Sequence, residues 1–341
     1  MENFEQFPAL PAPRNPNCLT ASIESICVRR GWCQDLSLIH AHHGFQYLRQ
    51  PFAATSLTAE NPPLKELQIS SAWPYTFSRS GIGGDVLDRL RRYYGISLII
   101  EELTEPAELV ANSLLQVGSL VAVDPYYVQG RKEWNLRHSL IFVVVNGLDR
   151  ENGQVAILEQ NVGQLFISID DFVRSLYTTA DLQGYSHRYI LTRDAPLEAW
   201  SIDDLRLCLR NALMTGGEDT VAQLKAFVDD YIQVTHSGAI PTVPAAWKFF
   251  GERYSFARYL DSISSRLSTY MREVVHPLST TLVRSGAGWE TFSRFQTALE
   301  STFDQRLLKR QVALLQMIEK EEGQIAEIIE RSYHTLDSIQ A

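Results

Sequence analysis

The chain has 341 residues, 45% of them hydrophobic, and a net charge of −9, which is too long for one small core and too acidic for bulk binding to nucleic acid or an anionic membrane. Cys18, Cys27, Cys33 and Cys208 include no Cys-x-x-Cys pair and make no disulfide scaffold, so a reducing, cytoplasmic setting is expected. Glu2 and Glu5 stand where a signal peptide would be apolar, and the longest apolar runs, such as 140–145, are strand-sized, so no membrane span is expected.

In chain order, Pro11, Pro13 and Pro16 hold the approach to Asn17 extended. From Cys18 the punctuation stops, and Leu19, Ile23, Ile26 and Cys27 recur near helical spacing, which predicts a helix over 18–31 with one buried face, ending near Gly31. Cys18 then lies in the first turn, where unpaired N–H groups and the helix dipole favour thiolate and offer donors to an oxyanion. The alternative is a small apolar core residue.

His40 and His43 have the spacing of a helical metal pair but no third ligand nearby, and a helix end before Gly44 explains them equally. Residues 50–80 read as a long surface loop, with a lid as its functional alternative. Gly81, Gly83 and Gly84 resemble a phosphate cradle without its lysine. A flexible lead into a helix capped by Asp85 and ended by Gly95 is the competing reading. Arg89, Arg91 and Arg92 on that helix are the densest basic cluster, with Arg29 and Arg30 second. They offer either a docking patch for an acidic partner or a solvated face.

A strand over 96–100 and a helix over 105–116 precede the most informative region. Strands are expected at 119–124, 139–146, 154–160, 165–169 and 188–192, and their short connections predict an antiparallel meander. The loop between the first two carries Tyr126, Tyr127, Arg131, Lys132 and Trp134 and ends on His138. Val155, Ile157 and Glu159 share a face by period two. An acid ending an apolar face needs a partner, and His138 is the expected one. Residues 203–215, 219–234, 244–271, 277–283 and 289–333 read as helices separated by glycines and prolines. The last has near-heptad apolar spacing, which suits helix packing or a homodimer. Residues 249–259 are aromatic and basic, as expected of core packing beneath a solvated arginine face.

Asn17-Cys18, Val123-Asp124-Pro125-Tyr126-Tyr127, His138 with 142–147, and Gly251 to Tyr259 together resemble the butirosin biosynthesis protein H family over nearly the whole chain. The resemblance implies an α+β fold, with a papain-like cysteine-enzyme domain at 1–198 whose catalytic helix packs on an antiparallel sheet, followed by an all-α helical bundle at 199–341. It implies acyl or peptidyl transfer from a carrier-protein phosphopantetheine thioester to a small amine in natural-product biosynthesis, with no cofactor and no metal. Cys18 is then the nucleophile and His138 the base. The third member is taken from Glu159, Asn161 and Asp124, in that order. A thioesterase or cyclase with the same dyad, and a non-catalytic binding module on the same fold, are the competing functions.

Overall fold

The structure is a computed structural model that describes residues 18–40, 45–48, 54–55, 64–70, 76–78, 81–83, 85–104, 118–160, 162–215, 218–243 and 246–340. The proline-rich approach to Asn17, His43, most of the 50–80 loop, the helix expected at 105–116 and Asn161 lie outside the described residues. The chain divides into two compact units, Met1–Leu36 with Tyr75–Ala199, and Ser37–Pro74 with Trp200–Ala341. The break after Ala199 falls beside the expected boundary. Residues 37–74, expected in the first domain, belong with the helical unit, because Phe45 and Tyr47 are buried in that unit's core.

The first unit is mixed α+β. Helix α1 (Cys18–Arg29) is buried along Leu19 to Cys27, polar Ser22, Glu24 and Ser25 included, so it is covered nearly all round rather than on one face. Helix α2 (Asp85–Tyr94) is followed by β1 (Ile96–Glu102), β2 (Leu120–Val123), β3 (Ile141–Asp149), β4 (Gln154–Glu159), β5 (Gly163–Ser168), helix α3 (Ile169–Gln183) and β6 (His187–Arg193). These strands form one six-stranded sheet in the order β5-β4-β3-β2-β6-β1, every neighbouring pair antiparallel. Strands β2 to β5 follow the expected meander, but the fifth strand expected in it does not pair with β5. Strand β6 follows α3, which carries the chain back to the open side of β2.

The central strands β2 and β3 are buried on both faces, which is why they read as unbroken apolar runs. One face places Val121, Val123, Val143, Val155 and Ile157 against Phe172 and Leu176 of α3. Each such buried side chain contributes about 1.5–3 kcal/mol.

The second unit holds α4 (Ile202–Leu213), α5 (Thr220–His236), α6 (Ala246–Ile263), α7 (Thr269–Ser301) and α8 (Gln305–Gln340), but it is not all-α as expected: Met214–Thr215 pairs with Glu218–Asp219, and Ile240–Thr242 pairs with Leu64–Glu66. The expected breaks near Pro277 and the 286–288 glycines do not occur, and α7 runs through both. The glycines are there for close packing. A Cβ on Gly286 would meet the Tyr254 ring at 2.9 Å, and one on Gly288 would meet Ile318 at the same distance. The long helix expected at 289–333 is instead broken at 302–304, and its two halves, in α7 and α8, pack on each other. Leu315 and Ile318 of its near-heptad stripe are buried in this chain's own core with Trp289 and Phe292. Among the described residues, no helix is long and apolar enough to cross a membrane.

Candidate active site

Asp124 is the residue that β2 delivers at its end. It caps the short helical turn Pro125–Tyr127, with Oδ1 accepting from the Tyr126 N–H at 3.1 Å. The same oxygen accepts from the Ser139 N–H at 3.2 Å. Its backbone is held as well: the Asp124 N–H donates to Ser175 Oγ of α3 at 2.7 Å, and the Ser175 hydroxyl donates back to the Asp124 carbonyl at 3.3 Å. With Oδ1 and the backbone both occupied, Oδ2 is left facing His138, 2.6 Å from Nδ1. The Asp124 side chain is 0% exposed and that of His138 is 47% exposed. Tyr126 stacks on the imidazole, ring centroids 4.3 Å apart. A carboxylate accepting from Nδ1–H fixes the tautomer in which Nε2 carries the lone pair, the form a general base needs. His138 lies in the connection three residues ahead of β3, because the strand expected from residue 139 begins only at Ile141.

Cys18 opens α1 and is partly exposed. Its position follows from the sheet. The β3–β4 ladder ends at the Val144–Leu158 pair, and the next residue of β3 whose backbone faces that side is Phe142. There α1 takes the place of β4: the Phe142 N–H donates to Cys18 Sγ at 3.4 Å, and Ser22 Oγ, one turn along, donates to the Phe142 carbonyl at 3.5 Å. The thiol therefore sits at the start of β3, four residues beyond His138 in sequence. No hydrogen bond joins Cys18 to His138 among the described residues. Burial pushes the Cys18 thiol up and nearby Glu159 adds to this, against the Phe142 N–H and Arg131. The expectation that the helix N-terminus leaves Cys18 favouring thiolate is thus corrected, because desolvation outweighs the donors.

Glu159 does not reach His138. Its side chain, 0% exposed, meets Arg131 at 3.1 Å, and Arg131 also pairs with buried Glu133 at 3.2 Å. Arg137 completes the chain of charges at 3.4 Å from Glu133. All three partners come from the loop that carries His138, so Glu159 anchors that loop rather than the imidazole. Of the three candidates for the third role, Asp124 has the contact, Glu159 has Arg131, and Asn161 lies outside the described residues. The signal for Asp124 was in the sequence: Asp before Pro, with an N–H two residues on, is a capping turn that aims a carboxylate back over its own loop. Nothing in the sequence marked Arg131 and Glu133 as a pair.

The basic cluster on α2 is largely neutralised, since Arg89 pairs with Asp85 at 2.7 Å and Arg92 with Glu198. His40 is buried in the second unit, in the turn Ser37–His40. Among the described residues, no group of three His, Cys, Asp or Glu is placed to hold a metal ion. Compared with family models and with curated proteins, the sequence finds no match in either.

Proposed function

We propose that the chain is a cysteine-dependent acyltransferase of the butirosin biosynthesis protein H type, its first unit a papain-like domain. The observation that carries this reading is the buried Asp124 on Nδ1 of a half-exposed His138, in the same sheet end as a cysteine that opens a helix. His138 Nε2 takes the Cys18 proton as sulfur attacks the thioester carbonyl of a carrier-bound acyl or peptidyl chain. The tetrahedral intermediate collapses, and the carrier thiol leaves with that proton. A small amine then attacks the acyl-enzyme, gives its proton to His138, and frees Cys18. The raised Cys18 thiol suits this order, because a neutral resting thiol needs a base at the moment of attack. A cytoplasmic setting goes with a free catalytic thiol.

One observation favours a second reading. Without a hydrogen bond between Cys18 and His138, the unit also suits a non-catalytic module that binds the carrier arm. Intact-mass analysis after incubation with acyl carrier thioesters separates the two. Transfer predicts an acyl adduct on Cys18, absent in Cys18→Ala, strongly slowed in His138→Ala, and discharged by amine faster than by water. Discharge by water alone would make the protein a thioesterase. Carrier binding without any adduct would leave the binding module.

A further inference from the structure

The loop between β2 and β3 carries an apolar and basic rim beside His138 that the acyl-transfer steps do not use. Trp134, Leu136 and Leu140 are all exposed, Leu136 to 78%, and all three lie within four residues of His138. A single exposed apolar side chain is ordinary, but three together beside a reactive histidine mark a surface to be covered. The loop that carries them is pinned. The Arg131 N–H donates to the Val128 carbonyl and the Trp134 N–H to the Arg131 carbonyl. The Asn135 N–H reaches back to the Tyr126 carbonyl at 3.0 Å, and the Leu136 and Arg137 N–H groups both donate to the Glu133 carbonyl. Beneath, Arg131 ties the loop to buried Glu159, and Gly130 lies so close to Leu165 of β5 that a Cβ there would meet it at 3.3 Å.

The charges of the loop are sorted by depth. Arg131, Lys132 and Arg137 all reach toward one buried acid, Glu133. The Arg131 side chain is turned inward and takes Glu159 as well. Those of Lys132 and Arg137 stay 78% and 67% exposed, whereas that of Glu133 is 5% exposed. The carboxylate is inside and the two cations are outside. Both exposed carriers of fixed charge between Pro125 and Leu140 are therefore positive, on a chain whose net charge is −9.

We propose that Trp134, Leu136 and Leu140, flanked by Lys132 and Arg137, are the surface on which an acidic carrier protein docks to present its thioester arm. The proposal rests on the acyltransferase reading above and says where the donor sits. A general base works only within hydrogen-bond reach of the reacting group, so the arm enters beside His138. The body of the carrier then comes to rest on the residues around it. Apolar anchors ringed by charge are the build of a protein interface, and the positive ring selects and steers an acidic partner. A pinned loop has already lost the freedom that docking would otherwise cost. The α2 cluster is less suited, because Arg89 and Arg92 already hold carboxylates. A second copy of this chain docking through the same patch would bring Lys132 and Arg137 against their own copies.

The test separates docking from chemistry. Carrier affinity is measured on full-length Cys18→Ala, which cannot turn over, with an acyl carrier protein holding an acyl-phosphopantetheine thioester. Adding Leu136→Asp, at a position already open to solvent, should weaken binding about tenfold or more. Lys132→Glu should weaken it severalfold and flatten its dependence on salt, while Arg91→Glu on α2 should change nothing. With Cys18 intact, acylation by an acyl N-acetylcysteamine thioester, which needs no docking, should proceed equally in both loop variants. No carrier binding, affinity indifferent to Leu136 and Lys132, or loss in Arg91→Glu alone would overturn the proposal. So would equal slowing with both donors, self-association that Leu136→Asp abolishes, or Leu136-dependent binding to anionic vesicles in place of the carrier. Leu136-dependent carrier binding with no adduct on the intact chain would uphold the surface and end the acyltransferase reading. Acylation from both donors with no dependence on the loop would do the opposite.

Discussion

The two units each bury a cluster of charges, and the clusters differ in whether they close. In the helical unit, Arg253 of α6 is 0% exposed and gives both Nε and Nη2 to Glu322 of α8, at 2.8 and 3.1 Å. Glu252 takes Nη1 at 3.2 Å, the Phe249 ring lies 5.2 Å away, and Trp289 Nε1 and Ser285 Oγ of α7 complete the shell of Glu322. Glu322 accepts from three side chains, and three helices are tied at one point. In the sheet unit, Asp124 is held as completely as Glu322, yet its partner His138 is half exposed and offers Nε2 outward. A closed cluster is a strut, whereas a cluster anchored on one side and open on the other has a group left to react. Glu159 with Arg131 belongs with the struts, although it lies beside the site.

The largest effect expected from this contrast is on stability. Arg253→Met leaves Glu322 buried without its cation and should cost about 3–5 kcal/mol. Thermal unfolding checks this, and an unchanged melting temperature would remove the distinction between strut and site. Any acyl adduct per folded molecule should be unaffected at low temperature.

Asp124→Asn should do the reverse. The amide oxygen still accepts from Tyr126 and Ser139, so the turn survives, but an NH₂ now faces Nδ1. That reverses the tautomer and puts the proton on Nε2, where a base is needed. Acyl-enzyme formation should fall about a hundredfold or more, as for His138→Ala, with little change in unfolding. An equal loss of stability would class Asp124 with the struts.

Glu159→Gln comes third. Arg131 keeps Glu133, and the cost should be about 1–3 kcal/mol of stability for a weakened buried contact. Acylation should slow less than in Asp124→Asn. Were Glu159→Gln to abolish acylation while Asp124→Asn did not, the roles assigned to the two acids would be exchanged.

The smallest effect is on thiol reactivity. Burial raises the Cys18 thiol, so its thiolate fraction at pH 7 lies below that of an ordinary thiol and keeps growing above the usual range of about 8.5. Neighbouring Cys27 lowers the Cys33 thiol, against burial. Brief iodoacetamide treatment near neutral pH should therefore label Cys33 before Cys18, and the Cys18 rate should still be rising at alkaline pH. Cys18 labelling first, with a plateau near neutrality, would mean that the free protein already holds a thiolate at the site.

What the sequence by itself determined was local. The absence of Pro and Gly after Cys18 makes α1, apolar runs between turns make β2 to β5, and 3.6-residue periodicity makes the helical half. Cys18 and His138 stand out because few side chains do their chemistry. Pairing was decided in three dimensions. The end of β4 does run toward the start of the His138 strand, as the antiparallel pattern implied, but register decides which side chains meet. The β3–β4 ladder stops at Leu158 opposite Val144, so Glu159 arrives deep in the strand, whereas Val123 pairs with Ile141 and Asp124 arrives at its mouth. A shift of a few residues, at about 3.3 Å each, separates a catalytic contact from a structural one, and no periodicity records it. The same holds for α7. Pro277 and the glycines carry the local signature of a break, but packing against Tyr254 and Ile318 leaves room for no side chain at Gly286 and Gly288, and the helix continues because its neighbours require that close surface.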